Sequence, residues 1–443
     1  MGPRTSLIRS EKPAGRPARP AGFAIMAMAG LLAAAPLQPA IAAGVSSTAE
    51  PNEYTPGPQW VTSDQRAATH FIALLQNADL DGLDPQRFQT KTLLRALKSA
   101  SGGSMKAADK ANAAFNRALV DYVTALRAAP SSEWAIVDRS AVPAIPSPTA
   151  LLAQAAAAPS LERWVDTMPF MHPDYAELRR ALAQARASGD TRSEALLRVN
   201  LNRLRFLPAS GRYVLVNTAA QQLYMYEDGR PVDSMKVVVG KPVNPTPMMA
   251  AMIRFTAVNP YWNVPADLAA ERIAPHVIKQ GPGYLRKLGY VVLSDWSDRA
   301  TPVDPATIDW KAVADGRTQI RVRQDPGPHN AMGRMKFMFP NPQGVYLHDT
   351  PDRELLNEAA RLFSGGCVRL EDAPRLAKWL YGAPLVINTT SPEEPISLDR
   401  PVPVYLAYLT AVPSGGQVVF YDDIYGKDRS EMAAASDGKI AAR

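Results

Sequence analysis

A chain of 443 residues, 46% of them hydrophobic, carries apolar mass for two or three packed domains. Its formal charge of +7 would suggest an anionic partner, but Arg4, Arg9, Lys12, Arg16 and Arg19 against Glu11 supply four of those charges, and the remaining three or so are too few to point to nucleic acid. The single cysteine, Cys367, excludes a disulfide within the chain.

The first 42 residues read as an export signal. The basic residues just named precede an apolar run, Phe23 to Ala35, too short to span a bilayer comfortably. Ala40-Ile41-Ala42 fits the small-x-small cleavage rule, which places the cut after Ala42. The alternative is an uncleaved anchor; either way the rest of the chain is exported, and no later run suits a membrane span. The lone thiol of an exported protein is then either free and reactive or intermolecular. Residues 43–62 read as a linker.

Residues 63–205 are rich in Ala and Leu and predict an all-helical domain. Asp64 to Asn77 places Ala67, Phe71, Leu74 and Leu75 on one face. Asp81-Gly82-Leu83-Asp84-Pro85 breaks that pattern, and further helices are expected over 86–99, 106–128, 172–187 and 191–204. Ser101 to Ser104 and Pro143 to Pro148 mark loops. His70 and His172 stand apart, His172 as a loop or capping residue, and no metal-ligand spacing is present. No metal or cofactor is expected.

At Arg212 the pattern switches to strands, and 211–428 predicts a mainly-β domain, making the chain α+β overall. Tyr213-Val214-Leu215-Val216, Gln222 to Tyr226 and Lys236 to Val239 are strand runs, the last two joined by the hairpin signal Glu227-Asp228-Gly229. A connection from about 262 to 335 is too long for a simple loop and reads as an inserted subdomain. Trp262 and Tyr284 lie in it, either lining a substrate groove or packing the insertion's own core. Asp372 to Tyr381 predicts a helix capped by Asp372, followed by strands at Pro384–Asn388 and Val402–Thr410. The polar, Ala-rich stretch 429–443 reads as a disordered tail.

The chemistry concentrates between His348 and Arg369. The apolar run Val345-Tyr346-Leu347 ends on His348, and a helix is expected next, with Thr350 as N-cap, Pro351 in the first turn and Leu355, Leu356, Ala359 and Phe363 at helical spacing. It would end at Ser364-Gly365-Gly366, ahead of Cys367. A thiol attacks a carbonyl as its thiolate, and an imidazole can take the proton. The amides of Gly366 and Cys367 are candidates for an oxyanion hole. The plainer alternative is a small buried cysteine beside a glycine turn.

HDT at His348–Thr350 followed by SGGCVRL at Ser364–Leu370 resembles the signature of the L,D-transpeptidase (YkuD-type) family. That resemblance implies Cys367 as nucleophile and His348 as its base, with a backbone carbonyl orienting the imidazole. Ser364, Gly366 and Arg369 occupy the remaining motif positions, and Gly365 stands where many relatives carry a polar or basic side chain. Ser364, Arg369, Tyr346, Trp262 and Tyr284 are the candidate substrate contacts. Arg369 either pairs with substrate carboxylates or braces the loop. Gly240-Lys241-Pro242 with Thr246-Pro247 resembles the family's turn after its third strand, and DGLDP with Asn202 to Pro208 resembles the helical scaffold of larger Gram-negative members, whose insertion caps the active site. A peptidoglycan-binding module that such relatives often carry before Asn202 is expected to be missing here.

The resemblance further implies a periplasmic enzyme that uses peptidoglycan stem tetrapeptides as donor and acceptor, links two diaminopimelate residues and releases D-Ala, with wall-synthesis proteins as possible partners. The same acyl-enzyme could serve an L,D-carboxypeptidase or amidase, or attach or release wall-bound proteins. An inactive wall-binding scaffold is the reading from another class.

Overall fold

The structure, a computed structural model, describes residues 57–62, 65–128 and 133–436. The expected signal segment with its cleavage point, most of the linker and the last seven residues lie outside the described residues. Among the described residues no helix is long and apolar enough to cross a membrane.

Seven helices form the first half: α1 (Arg66–Gln76), α2 (Thr90–Ala100), α3 (Met105–Arg127), α4 (Pro148–Ala156), α5 (Leu161–Thr167), α6 (Tyr175–Ser188) and α7 (Thr191–Leu204). Their starts follow from capping chemistry. Ser104, Ser147, Ser160 and Asp190 each accept a backbone N–H of the first turn, and Pro148 occupies the first turn of α4. Gly189, at φ 73°, ends α6, and Asp190 starts α7 at once. Helices α4 and α5 were not expected. The Ala-rich sequence of α4 and the seven-residue length of α5 hide the periodicity, and the signal that survives is a serine N-cap at each start.

Tyr122, Phe71, Phe115 and Trp60 pack the core of this half. The acid of the breaker segment, Asp81, is buried with them and is held by the Tyr122 hydroxyl (2.8 Å), the Tyr175 hydroxyl (3.1 Å) and Arg179 Nε (2.8 Å). His172 is buried in the loop at the entry to α6, where its Nδ1 accepts the N–H of Asp174, the residue before the helix (3.3 Å).

The second half is built on one large sheet. Its strands are β1 (Ala135–Ile136), β2 (Tyr213–Asn217), β3 (Gln222–Glu227), β4 (Arg230–Gly240), β5 (Met249–Val258), β9 (Met335–Met338), β10 (Leu347–His348), β12 (Val368–Leu370) and β13 (Glu394–Ala407), with β11 (Leu362–Ser364) alongside β4. The order is β1-β5-β13-β2-β3-β4-β12-β10-β9, and β9 also pairs with β5, which closes the strands from β5 round to β9 into a ring. Alternation along each strand divides two cores. Val214, Val216, Val237, Phe337, Leu347, Val368 and Leu406 join Leu376 and Leu380 of α12 (Ala373–Tyr381) in one cluster. Tyr213, Leu215, Tyr405 and Ala407 face the other way and share a core with the helical half.

Between β5 and β9 the chain makes the insertion, with strands β6 (Trp262–Val264), β7 (Tyr290–Leu293) and β8 (Arg321–Gln324), and helices α8 (Ala266–Leu268), α9 (Ala274–Gln280), α10 (Gly283–Leu288) and α11 (Trp310–Ala314). The three strands form their own sheet, and Ile273, Val277, Leu285, Trp310 and Val322 form a separate small core.

Three expectations are corrected here. The helix expected after Thr350 is a loop with one 3-10 turn, Arg353–Asn357, before β11. Side-chain pins outcompete a helix: Arg353 bonds Asp349 (2.7 Å), and Arg361 donates to the carbonyls of Val237 (3.1 Å) and Gln221 (3.0 Å). No strand forms over 384–388, and β13 instead begins at Glu394. The segment past Arg429 is not a disordered tail throughout, since after the hairpin β14 (Ala411–Ser414) and β15 (Gln417–Phe420) a last helix, α13, runs from Lys427 to Ser436. Buried Arg203 of α7 holds it, through Asp428 (2.6 Å) and Glu431 (2.9 Å).

Candidate active site

Strands β10 and β12 run parallel, with Leu347 opposite Val368 and His348 opposite Arg369. Leu347 and Val368 point into the core. Alternation therefore puts Tyr346, His348, Cys367 and Arg369 together on the other face. Lys336, opposite His348 on β9, joins them. Its Nζ lies 5.1 Å from the centre of the Tyr346 ring and 3.3 Å from Glu393.

The cysteine loop is tightly bound. Gly366 sits at φ 116°, a conformation open to glycine and strained for other residues. The Ser364 hydroxyl donates to the Cys367 carbonyl (2.5 Å) and accepts the Gly366 N–H (3.1 Å). Lys241 N donates to the Ser364 carbonyl (3.0 Å), and Thr246 Oγ1 donates to the Gly366 carbonyl (2.8 Å) while accepting the Gly240 N–H (3.0 Å). Gly240 has the next turn folded onto it: a Cβ there would lie 2.2 Å from the Asn244 carbonyl.

The His348 imidazole is buried, and its Nδ1 meets the Asp349 carbonyl at 2.6 Å. That contact requires the proton on Nδ1 and leaves the Nε2 lone pair to receive another. Burial, then the nearby Arg369 and Lys336 cations, push the imidazole down to about 3, so it is neutral at neutral pH. Burial likewise pushes the Cys367 thiol up, against smaller opposing effects from the Tyr346 backbone, Arg369 and Lys336. The thiol lies 3.7 Å from the Gly344 carbonyl. The resting pair is thus a thiol and a neutral base rather than a thiolate and an imidazolium.

Three of the candidate contacts are reassigned. Ser364 is buried with its hydroxyl committed to the loop, so it holds the Cys367 backbone and has no hydroxyl to offer a substrate. The Gly366 N–H is spent on Ser364, which leaves the Cys367 N–H as the candidate oxyanion donor. Arg369 bonds Asp352 at 2.7 Å and so braces the loop after His348. The Asp349 side chain also braces structure, accepting the Arg334 N–H (2.9 Å), while its carbonyl serves His348.

Trp262 and Tyr284 meet Arg369 and Asp352 around one cavity of about 380 Å³, under the insertion. Tyr290, Arg272, His276 and His329 complete its polar and aromatic wall. On the other side of the loop, Leu268 of α8 stands 3.6 Å from the point a side chain on Gly365 would occupy. The insertion therefore lies directly over the cysteine turn. Lys336 and Asp352 escaped the sequence reading, and Thr246 was read as part of a turn without its bond to the cysteine loop. Thr246 alone carried a signal, in its turn between two prolines. Among the described residues no cluster of His, Cys, Asp or Glu could hold a metal ion.

Comparison with known proteins bears on this arrangement. Residues 211–404 match the model of the L,D-transpeptidase catalytic domain (YkuD), and residues 52–182 match that of a scaffold domain. Residues 211–404 are a YkuD-type L,D-transpeptidase catalytic domain. A Haemophilus influenzae protein with the curated name "Putative L,D-transpeptidase" is 36% identical over 242 residues, which cover 53% of this chain and 48% of that relative. The chain thus matches about half the length of that L,D-transpeptidase relative. Two solved structures also overlap at low similarity. An L,D-transpeptidase from Mycobacterium smegmatis has TM-score 0.22 and 17% identity, over 45% of this chain and 59% of that one. A mutant of the Enterococcus faecium L,D-transpeptidase has TM-score 0.20 and 13% identity, over 49% and 64%. Scores this low carry no weight, and the domain assignment rests on the sequence matches.

Proposed function

We propose that the chain is an exported, cysteine-dependent L,D-transpeptidase that cross-links peptidoglycan stem peptides. The observation that carries this reading is the shared sheet face of His348 and Cys367, with the imidazole neutral and its Nε2 open. Cys367 Sγ attacks the carbonyl of the third donor residue, meso-diaminopimelate. As the S–C bond forms, His348 takes the thiol proton and delivers it to the departing D-Ala amine, whose C–N bond breaks. The amine of a second diaminopimelate then attacks the thioester. Its proton passes through His348 back to sulfur as the S–C bond breaks.

The Cys367 N–H faces the developing oxyanion. The cavity beside Arg369 supports a donor that carries both charges and apolar surface. Its wall offers guanidinium, imidazole and carboxylate groups beside three aromatic rings, as a stem peptide with free amine and carboxylate groups would require. The periplasm is the compartment in which such a substrate and an exported enzyme would meet.

Incubation of the mature protein with purified disaccharide-tetrapeptide, followed by mass spectrometry, tests this directly. A dimer lacking one D-Ala is the expected product, and it is lost in Cys367→Ala. Tripeptide alone would replace the transpeptidase reading with an L,D-carboxypeptidase, because water would be the acceptor.

A further inference from the structure

The family match ends at residue 404, yet the chain beyond it returns to the catalytic loop. The Tyr425 hydroxyl donates to the Gly240 carbonyl at 2.8 Å. Gly240 and Thr246 hold the cysteine turn from behind, through the Gly240 N–H, Thr246 Oγ1 and the Gly366 carbonyl, beside the Lys241 N–H on the Ser364 carbonyl. Tyr425 itself is held from the other side. Its ring stacks on Tyr408 at 5.4 Å, and its N–H donates to the Tyr408 hydroxyl at 3.0 Å, which in turn donates to Asp423 at 2.8 Å. Two residues further on, α13 begins, anchored by Asp428 and Glu431 to the buried guanidinium of Arg203. Arg203 also donates to the Tyr408 carbonyl at 2.9 Å.

We infer that residues 421–431 form a strap that sets the geometry of the cysteine turn, with Tyr425 as its positioning residue: one hydroxyl couples a C-terminal segment outside the catalytic-domain match to the backbone next to the nucleophile. The physical need is specific. An oxyanion donor acts only if its N–H is already aimed when charge develops, and a turn with a glycine at φ 116° has little intrinsic stiffness. Ser364 fixes the turn internally, and Thr246 fixes it to β4. Tyr425 caps the β4 end of that chain of bonds. Without its hydroxyl the Gly240 carbonyl loses this donor, and the turn that carries Thr246 can drift.

This inference rests on the proposed acyl-enzyme but is separable from it by experiment. Tyr425→Phe removes one oxygen and keeps the ring stacked on Tyr408. Two reactions of Cys367 are compared in the full mature chain. Acylation by a β-lactam develops an oxyanion, whereas alkylation by iodoacetamide does not. Acylation is expected to slow roughly tenfold, as small misplacements of catalytic groups do. Alkylation should stay within about twofold, since the thiol's access and base are untouched. Hydrogen exchange should also quicken at residues 364–367 and stay unchanged in α6 and α7.

Equal loss in both reactions would make Tyr425 a mere packing residue and overturn the inference, as would no change in either. If the wild-type protein forms no β-lactam adduct at all, the acyl-enzyme reading fails instead. The strap is then judged by exchange at 364–367 alone, and unchanged exchange in Tyr425→Phe removes it.

Discussion

Around Asp81 in the helical half, bonding capacity is used up. Two tyrosine hydroxyls and the Arg179 guanidinium converge on its carboxylate, and Arg179 Nη2 donates to the carbonyls of Asn77 (2.9 Å) and Leu74 (3.4 Å). Around Cys367 in the sheet half, capacity is left over. The thiol makes a long contact to the Gly344 carbonyl beside the Tyr346 backbone, His348 keeps Nε2 open, and the cations Lys336 and Arg369 sit nearby, paired with the more exposed acids Glu393 and Asp352. The first cluster is buried and the second partly so, and both contain tyrosine and arginine. A saturated cluster resists change and acts as architecture; an unsaturated one has somewhere to put a proton or a charge. The contrast separates what holds this molecule together from what reacts in it.

The largest effect should come from breaking the saturated side. Asp81→Ala strands the Arg179 charge and two tyrosine hydroxyls in the core, and losing one partner of such a buried pair costs about 3–5 kcal/mol. Chemical denaturation of the variant should show that loss, while its β-lactam acylation, read on the folded fraction, stays at the wild-type rate. A cost below about 1 kcal/mol would place the cluster in the same class as an exposed ion pair.

On the unsaturated side the order reverses. His348→Ala should keep the fold and slow acylation of Cys367 at least about a hundredfold, the usual worth of a positioned base. Stopped-flow acylation by a β-lactam would measure it. Near-normal acylation would take His348 out of its role and leave the thiol to react through solvent.

The same contrast explains what the sequence could and could not disclose. His348 and Cys367 were legible because chemistry demands those residue types, and the glycines before the cysteine had few other uses. The strands around them were legible from β-branched runs such as Val237-Val238-Val239. Asp81 was read merely as part of a helix break, because its three partners come from α3 and α6, tens of residues away. Ser364 and Arg369 were legible as motif positions, but their partners were not. A hydroxyl that bonds a backbone carbonyl three residues on, and an arginine that takes Asp352, are choices made by the folded loop. The helix wrongly expected after Thr350 has the same origin: Leu355, Leu356 and Ala359 repeat at helical spacing, but Arg353 and Arg361 find better partners outside any helix.

The smallest effect is also the sharpest test of the resting state. His348 is held near 3 in the fold, against about 6.5 for an unfolded histidine. Between those values the unfolded chain binds a proton that the fold refuses, so stability falls as pH drops below 6.5 and levels off near 3. From pH 6.5 to 5.5 that single group should remove about 1 kcal/mol. His172, also lowered to about 3, pulls in the same direction. Asp174 beside it is raised to about 6 by burial and by Glu177, and it gains a proton on folding in that range, so the two partly cancel. Denaturation of wild type and His348→Ala at both pH values removes every other group from the comparison. Wild type should lose about 1 kcal/mol more than the variant on acidification. Equal losses would mean that the folded imidazole carries a proton like an exposed one, and Cys367 would then face an imidazolium with no lone pair to accept its proton.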